Sequence, residues 1–324
     1  MTQPGPPTNV PNMTLVIAPT SSGLNSGPQT GCFLSAQRTS GSIVNETIWA
    51  RNETGFTRQW LTGGLTSSTN YTAFIIQDST QVSGPIYFST KSSVLPPFFR
   101  YKPLFKHSDP GGFRCNLVHS LPFCPGVAYS VPLPPPPNSA QSYTAANLPN
   151  AVTSPFLSYM ANFTTVLTTF ACGRDWYSPI VGCDDCEREF RKWLCAISFT
   201  RCGEPSLNDP SVLPTGPAAT GLTGANGAQK VLSALHPVET GDTPRNPFLP
   251  ALGSRYLMLQ PCLEQCNQLD RACPPFLGIK CPRRKFNAAA SYGVGYIDGA
   301  DGDKNQGSTG AAQDRYGNVW CQLI

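Results

Sequence analysis

Charge is scarce in this chain. Lysine, arginine, aspartate and glutamate make up 13% of its 324 residues, about half the share of an ordinary globular protein. Long, solvated helices laced with ion pairs are therefore not its main architecture. The net charge of +4 is spread thinly, and the tightest basic group is Arg283, Arg284 and Lys285. Without a basic stripe, nucleic acid is excluded as a partner. Histidine is scarcer still, with only His107, His119 and His236. No His-Glu-x-x-His and no Gly-x-Ser-x-Gly occurs. Asp184 and Asp185 are adjacent, so a helix would turn them about 100° apart, unsuited to a facing acid and nucleophile. These absences argue against an enzyme, and no cofactor is expected. Long apolar runs are also missing. Nothing approaches the roughly 18 to 20 residues that a membrane span needs, which excludes a pore made by this chain alone and leaves membrane association to a partner or an anchor. The opening Met-Thr-Gln-Pro-Gly-Pro-Pro lacks the basic and then apolar pattern of a secretory signal.

Cysteine, by contrast, is abundant, and so are turn formers: 13 Cys, 33 Pro and 29 Gly. The order is Cys115-x8-Cys124, then Cys186-x8-Cys195-x6-Cys202, then Cys262-x3-Cys266-x6-Cys273-x7-Cys281, closing with Cys321. Five Asn-x-Ser/Thr sequons at Asn12, Asn45, Asn52, Asn70 and Asn162 point to the same oxidising, secretory environment. Cys183-x2-Cys186 and Cys262-x3-Cys266 have zinc-ligand spacing, but oxidation competes with metal in such a compartment, so no metal site is expected. A thioredoxin-like use of Cys183-x2-Cys186 lacks its βαβ surroundings. Cys32 stands alone in the N-terminal third, and together with the missing signal pattern it implies that the chain begins late, with a partner cysteine upstream.

Residues 1–93 read as strands over Thr14–Ala18, Ile43–Ala50, Thr57–Leu61, Asn70–Gln77 and Pro85–Thr90, divided by Gly, Ser and Asn turns. This is the pattern of a partial β-sandwich of fibronectin or immunoglobulin type. Leu65-x3-Thr69-x-Tyr71 resembles the tyrosine corner of such sandwiches. Residues 94–114 form an aromatic and basic linker or docking strip. Residues 115–324 form a disulfide-rich, mainly helical domain with mobile insertions at 207–253 and 287–318, so the fold class is α+β. Three helices are expected. One starts at Ser154-Pro155 and aligns Phe156, Met160, Phe163, Leu167 and Phe170, with Asn162 off that face. A second covers about Asp184–Thr200, with Phe190, Trp193, Leu194 and Ile197 as its stripe. The third, Arg255–Cys273, turns Cys262, Cys266, Leu269 and Cys273 to one side.

Two further features bear on binding. Asp298, Asp301, Asp303 and Asn305 invite a calcium-loop reading, but counted from Asp301 the sixth and twelfth places hold Gln306 and Ala312 where an EF-hand needs Gly and Glu. Exposed aromatic and arginine side chains make contact hot spots. The strip with Phe98, Phe99 and Arg100 and the cluster with Arg283 and Arg284 are therefore candidate partner surfaces.

Pro261-Cys262-x3-Cys266-x6-Cys273-Pro274, preceded by Cys195-x6-Cys202 and Cys115-x8-Cys124-x4-Tyr129, resembles the frizzled-type cysteine-rich domain, a mainly helical fold held by five disulfides. That resemblance implies the pairs Cys115–Cys202, Cys124–Cys195, Cys186–Cys273, Cys262–Cys321 and Cys266–Cys281, with Cys172–Cys183 as a sixth, local bridge. The wider arrangement is more particular. A glycosylated β-domain, then Phe123-Cys124-Pro125-x3-Tyr129-Ser130-Val131-Pro132, then Trp193-Leu194-Cys195 within Cys186 to Cys202, resembles the fungal stretch-activated calcium channel component, the family named for mating-pheromone-induced death. It is also similar to the animal subunit that docks on the sodium-leak channel. The resemblance implies a non-enzymatic auxiliary subunit on the extracellular face of the plasma membrane, reached through the endoplasmic reticulum. Its partner would be a large four-repeat calcium-channel pore protein, and its role high-affinity Ca2+ entry. The alternatives are a secreted or cell-surface frizzled-like module binding a ligand or lipid, and an adhesion protein built on the sandwich.

Overall fold

The structure, a computed structural model, describes residues 10–50, 56–91, 114–138, 140–170, 177–203, 235–283, 288, 291–293 and 321–324. They fall into two compact units that divide between residues 113 and 114.

In the first unit β1 (Met13–Pro19) runs antiparallel to β4 (Asn70–Gln77), from Met13 opposite Gln77 to Pro19 opposite Tyr71. The other edge of β4 is shared by β5 (Gln81–Val82) and β6 (Ile86–Ser89), which makes β4 the central strand. Its alternating side chains serve two clusters, as the two-residue period of a strand requires. Phe74 and Ile76 pack with Val16, Ala18, Leu24 and Leu34. Tyr71 and Ala73 pack with Ile17, beside Leu65 and Phe88. Leu34 arrives on the short helix α1 (Gly31–Ser35), whose start is capped by Thr30 accepting the Phe33 N–H at 3.3 Å. β2 (Ser42–Ala50) and β3 (Phe56–Gly63) form a separate hairpin with an irregularity between Ile43 and Asn45. The expected sandwich thus takes the form of a four-stranded sheet and a two-stranded hairpin among the described residues. Arg58 ties β3 to the strand start by donating to the carbonyls of Pro11 and Met13 at 3.3 and 3.4 Å.

In the second unit a small ladder of β7 (Asn116–Val118) and β8 (Tyr129–Val131) precedes α2 (Asn150–Phe170) and α3 (Cys183–Ser198). β9 (Arg201–Cys202), β10 (Leu235–Val238) and β11 (Tyr256–Leu259) make a second sheet in the order β10-β11-β9, and α4 (Leu263–Ala272) follows. The main core gathers Val118, Leu121, Val131 and Leu133 from the first ladder and its loops, Val152 and Phe156 from α2, and Leu194 and Phe199 from α3 and its end.

The helix bounds differ from expectation in two places. α2 begins a turn before Ser154: Val152 is buried and extends the apolar face, while the Pro149 carbonyl accepts the Val152 and Thr153 N–H groups. Pro155 therefore lies inside the helix, where it removes one backbone bond and its ring crowds the carbonyl of the preceding turn. Arg255–Leu259 is not helical. Tyr256 to Leu259 alternate between half-buried and buried and pair with β10 and β9. Pro261 then biases its predecessor toward extended backbone, so the helix starts only after Cys262. The described parts of the two insertions are ordered, whereas the rest of each lies outside the described residues. In the first, β10 pairs with β11 and Leu249 is buried in the main core. In the second, Ala288 and Tyr292 are buried beside Leu263 and Cys266. Each supplies apolar surface to a core, which offsets the entropy of ordering the segment. No helix among the described residues is long and apolar enough to cross a membrane.

Candidate functional site

Five disulfides between described residues frame the second unit: Cys115–Cys202, Cys124–Cys195, Cys186–Cys273, Cys262–Cys321 and Cys266–Cys281. They are the five pairs implied by the frizzled-like spacing. Cys186–Cys273 fixes α3 against the end of α4, and Cys124–Cys195 fixes the α3 C-terminal half against the β7–β8 loop. A polar clasp closes the far side. Gln322 accepts the Arg201 N–H at 3.0 Å and donates to the Phe199 carbonyl at 3.1 Å and to the Tyr129 hydroxyl. Tyr129 in turn donates to the Phe199 carbonyl at 2.8 Å. Arg201 lies over the Tyr129 ring, 5.7 Å from its centroid. Burial pushes the Tyr129 phenol far above its ordinary value, so it stays neutral and keeps its proton for Phe199.

Within this frame α2, α3 and residues 245–248 enclose an open groove of about 500 Å3. Its floor is Val152 and Phe156 of α2 with Leu194 of α3. Phe190 is held flat against Phe163, with ring centroids 3.6 Å apart. Trp193 donates its indole N–H to the Tyr292 hydroxyl at 2.9 Å, which fixes both rings in the wall. At the rim Tyr159 is 51% exposed and Phe248 is 40% exposed. The 245–248 segment is set in place by Asn246, whose amide donates to the Ser198 carbonyl at 3.0 Å and accepts the Phe248 N–H at 3.0 Å.

Arg245 is the sole charged side chain in the lining among the described residues. It donates to the Ser291 carbonyl and lies over the Tyr292 ring, 5.2 Å from the centroid. Burial holds its pKa below the ordinary guanidinium range, yet an arginine remains protonated in proteins. No carboxylate pairs with it among the described residues. Among the described residues the groove is thus lined by aromatic and aliphatic side chains with one arginine whose described partners are neutral.

A family model described as the stretch-activated Ca2+-permeable channel component matches residues 11–311. The chain belongs to that family. It is 33% identical over 333 residues to the stretch-activated cation channel MID1 of Cryptococcus neoformans, covering 96% of this chain and 50% of that protein. It is 25% identical to the stretch-activated cation channel yam8 of Schizosaccharomyces pombe, covering 72% and 40%. It is 26% identical to the stretch-activated cation channel MID1 of Saccharomyces cerevisiae, covering 70% and 35%. The chain spans half or less of the length of these relatives. No solved structure matches it significantly.

The sequence-derived site residues of this channel component are distributed as follows. Asn12, Asn45 and Asn162 are exposed, Asn162 on the outer side of α2. Asn70 is half-buried and its side-chain oxygen accepts from the Ser89 hydroxyl. Asn52, Phe98, Phe99, Arg100, Arg284, Cys172 and the acidic stretch Asp298 to Asn305 lie outside the described residues. Arg283 is exposed, and its carbonyl accepts the Ala288 N–H at 3.1 Å. Cys183 is disulfide-bonded and Cys32 is free and exposed. The zinc-spaced cysteines Cys186, Cys262 and Cys266 have their sulfurs in bridges. Cys262, Glu264 and Cys321 lie close together, but their two sulfurs are bonded to each other and offer no thiolate. His119 is buried with its two ring nitrogens at 2.8 and 2.9 Å from the Ser120 and Ser142 hydroxyls, so neither nitrogen bonds an orienting carboxylate. Tyr71 meets the corner expectation: its hydroxyl accepts the Thr66 N–H at 2.9 Å.

Sequence reasoning missed Arg245, Phe248 and Tyr292 because they fall inside segments read as mobile insertions. A Pro-flanked Arg-Asn-Pro-Phe-Leu run in an otherwise small-residue stretch was the available signal.

Proposed function

We propose that this chain is the extracellular part of a non-enzymatic auxiliary subunit, which supports high-affinity Ca2+ entry by binding a separate four-repeat pore protein. The observation that carries this reading is the groove. It sits in a disulfide-framed unit and, among the described residues, is lined by aromatics with one charged side chain, within a family of channel components. Such a surface recognises a partner rather than transforms a substrate. Membrane placement then follows from the partner or from an anchor elsewhere in the full-length protein. Deleting the full-length gene should cut Ca2+ uptake under calcium limitation, and re-expression should restore it. Normal uptake in the deletion strain would end the channel reading.

A further inference from the structure

We propose that the groove between α2, α3 and residues 245–248 receives an extended segment of the pore protein that carries an apolar anchor side chain with an Asp or Glu beside it. This deepens, and rests on, the reading that the chain works by binding that protein.

Three observations select the occupant. The first is charge. Arg245 is part-desolvated in the groove lining, and its described partners, the Ser291 carbonyl and the Tyr292 ring, are neutral. A carboxylate arriving there gains a charge-assisted hydrogen bond and a desolvated counter-charge, where a second cation would be repelled. The second is size. About 500 Å3 accommodates one or two side chains and a short stretch of backbone, and is too small to seat a whole helix. The third is the open, aromatic rim. Tyr159 and Phe248 remain half exposed at the mouth, so an aliphatic chain laid in the groove would stay wetted along one side. A protein loop turns its polar backbone toward that water and its apolar anchor toward Phe156 and Trp193.

The test uses full-length protein and the detergent-solubilised pore subunit, titrated against each other. Arg245→Glu and the double rim variant Tyr159→Asp/Phe248→Asp should each weaken the apparent affinity about ten-fold or more, the size of a hot-spot loss. Arg245→Lys should retain most of it. The rim positions are exposed, so their variants should keep the wild-type melting temperature even if Arg245→Glu fails to fold. A photo-crosslinker placed by Phe248→p-benzoylphenylalanine should capture a pore-subunit peptide in which an apolar residue is flanked by Asp or Glu. If wild-type protein binds the pore subunit and the rim variants bind equally well, the groove proposal falls while the partner reading stands. If wild-type protein does not bind at all, both fall. Native mass spectrometry finding a fatty acid or phospholipid on wild-type protein, lost in the rim variant, would overturn the peptide in favour of an amphiphile.

Discussion

β4 of the first unit and α3 of the second are both central elements, yet they are held by different means. β4 is hydrogen-bonded along both edges and contributes to an apolar cluster on each face. α3 is anchored by Cys186–Cys273 and Cys124–Cys195 and packs against α2 and α4. The first unit contains one cysteine and the second the other twelve. Regular pairing saturates backbone polar groups by itself, so a sheet needs little else. In the second unit bridges join segments distant in sequence, and such cross-links remove conformational entropy from the unfolded chain. The groove sits in the cross-linked unit, where hydrogen bonds from Arg245 and Asn246 set residues 245–248 against the bridged helices.

The sharpest test of this contrast is reduction. Each bridge contributes about 2–4 kcal/mol, so dithiothreitol should unfold the second unit outright while sparing the first. Hydrogen exchange should show protection lost over residues 183–198 and 263–272 and kept over 70–77. Simultaneous loss in both would break the comparison. The mirror experiment is Phe74→Ala, which empties a fully buried site in the first unit. It should cost about 3–5 kcal/mol and remove protection over 70–77 without touching α3.

A smaller contrast uses two tyrosines. Tyr71 makes one hydroxyl bond to the Thr66 N–H, whereas the Tyr129 hydroxyl serves both Phe199 and Gln322. Tyr129→Phe should cost about 1–3 kcal/mol, because two buried groups lose a partner, and Tyr71→Phe about 1 kcal/mol. Equal shifts in melting temperature would show that the clasp adds nothing to the bridges.

Legibility followed the same divide. The strands of the first unit were readable from alternation and turn residues, because period-two patterning decides which side chain faces which cluster. The disulfide pairs were legible only through the resemblance to the frizzled-type domain. What escaped was set by contacts distant in sequence. Tyr256 to Leu259 reads as helix until Arg201 and Cys202 offer it a strand partner. Tyr292 is fixed in the groove wall by a hydrogen bond from Trp193, 99 positions earlier on α3, and Arg245 is fixed by the Ser291 carbonyl. Segments rich in Pro, Gly and Ala carry no periodicity, so their buried members have no local signature.

The smallest effect concerns the first turn of α3. Asp185 accepts the Gly182 N–H at 2.8 Å and pairs with Arg188. These contacts, the backbone bond foremost, hold its carboxyl below the usual range. A depressed folded-state pKa means that the stabilisation is fully present above the unfolded carboxylate's pKa and is lost as pH falls through the folded one. Asp185→Asn should therefore lower stability at neutral pH by at most about 1 kcal/mol, since the site is part exposed and screened by salt. The wild-type and variant melting curves should converge in acid. A constant gap at every pH would mean that the amide has lost packing rather than charge. Because β4 is paired by neutral backbone bonds, the same substitution should leave exchange over 70–77 unchanged, which separates a local charge effect on α3 from a general loss of stability.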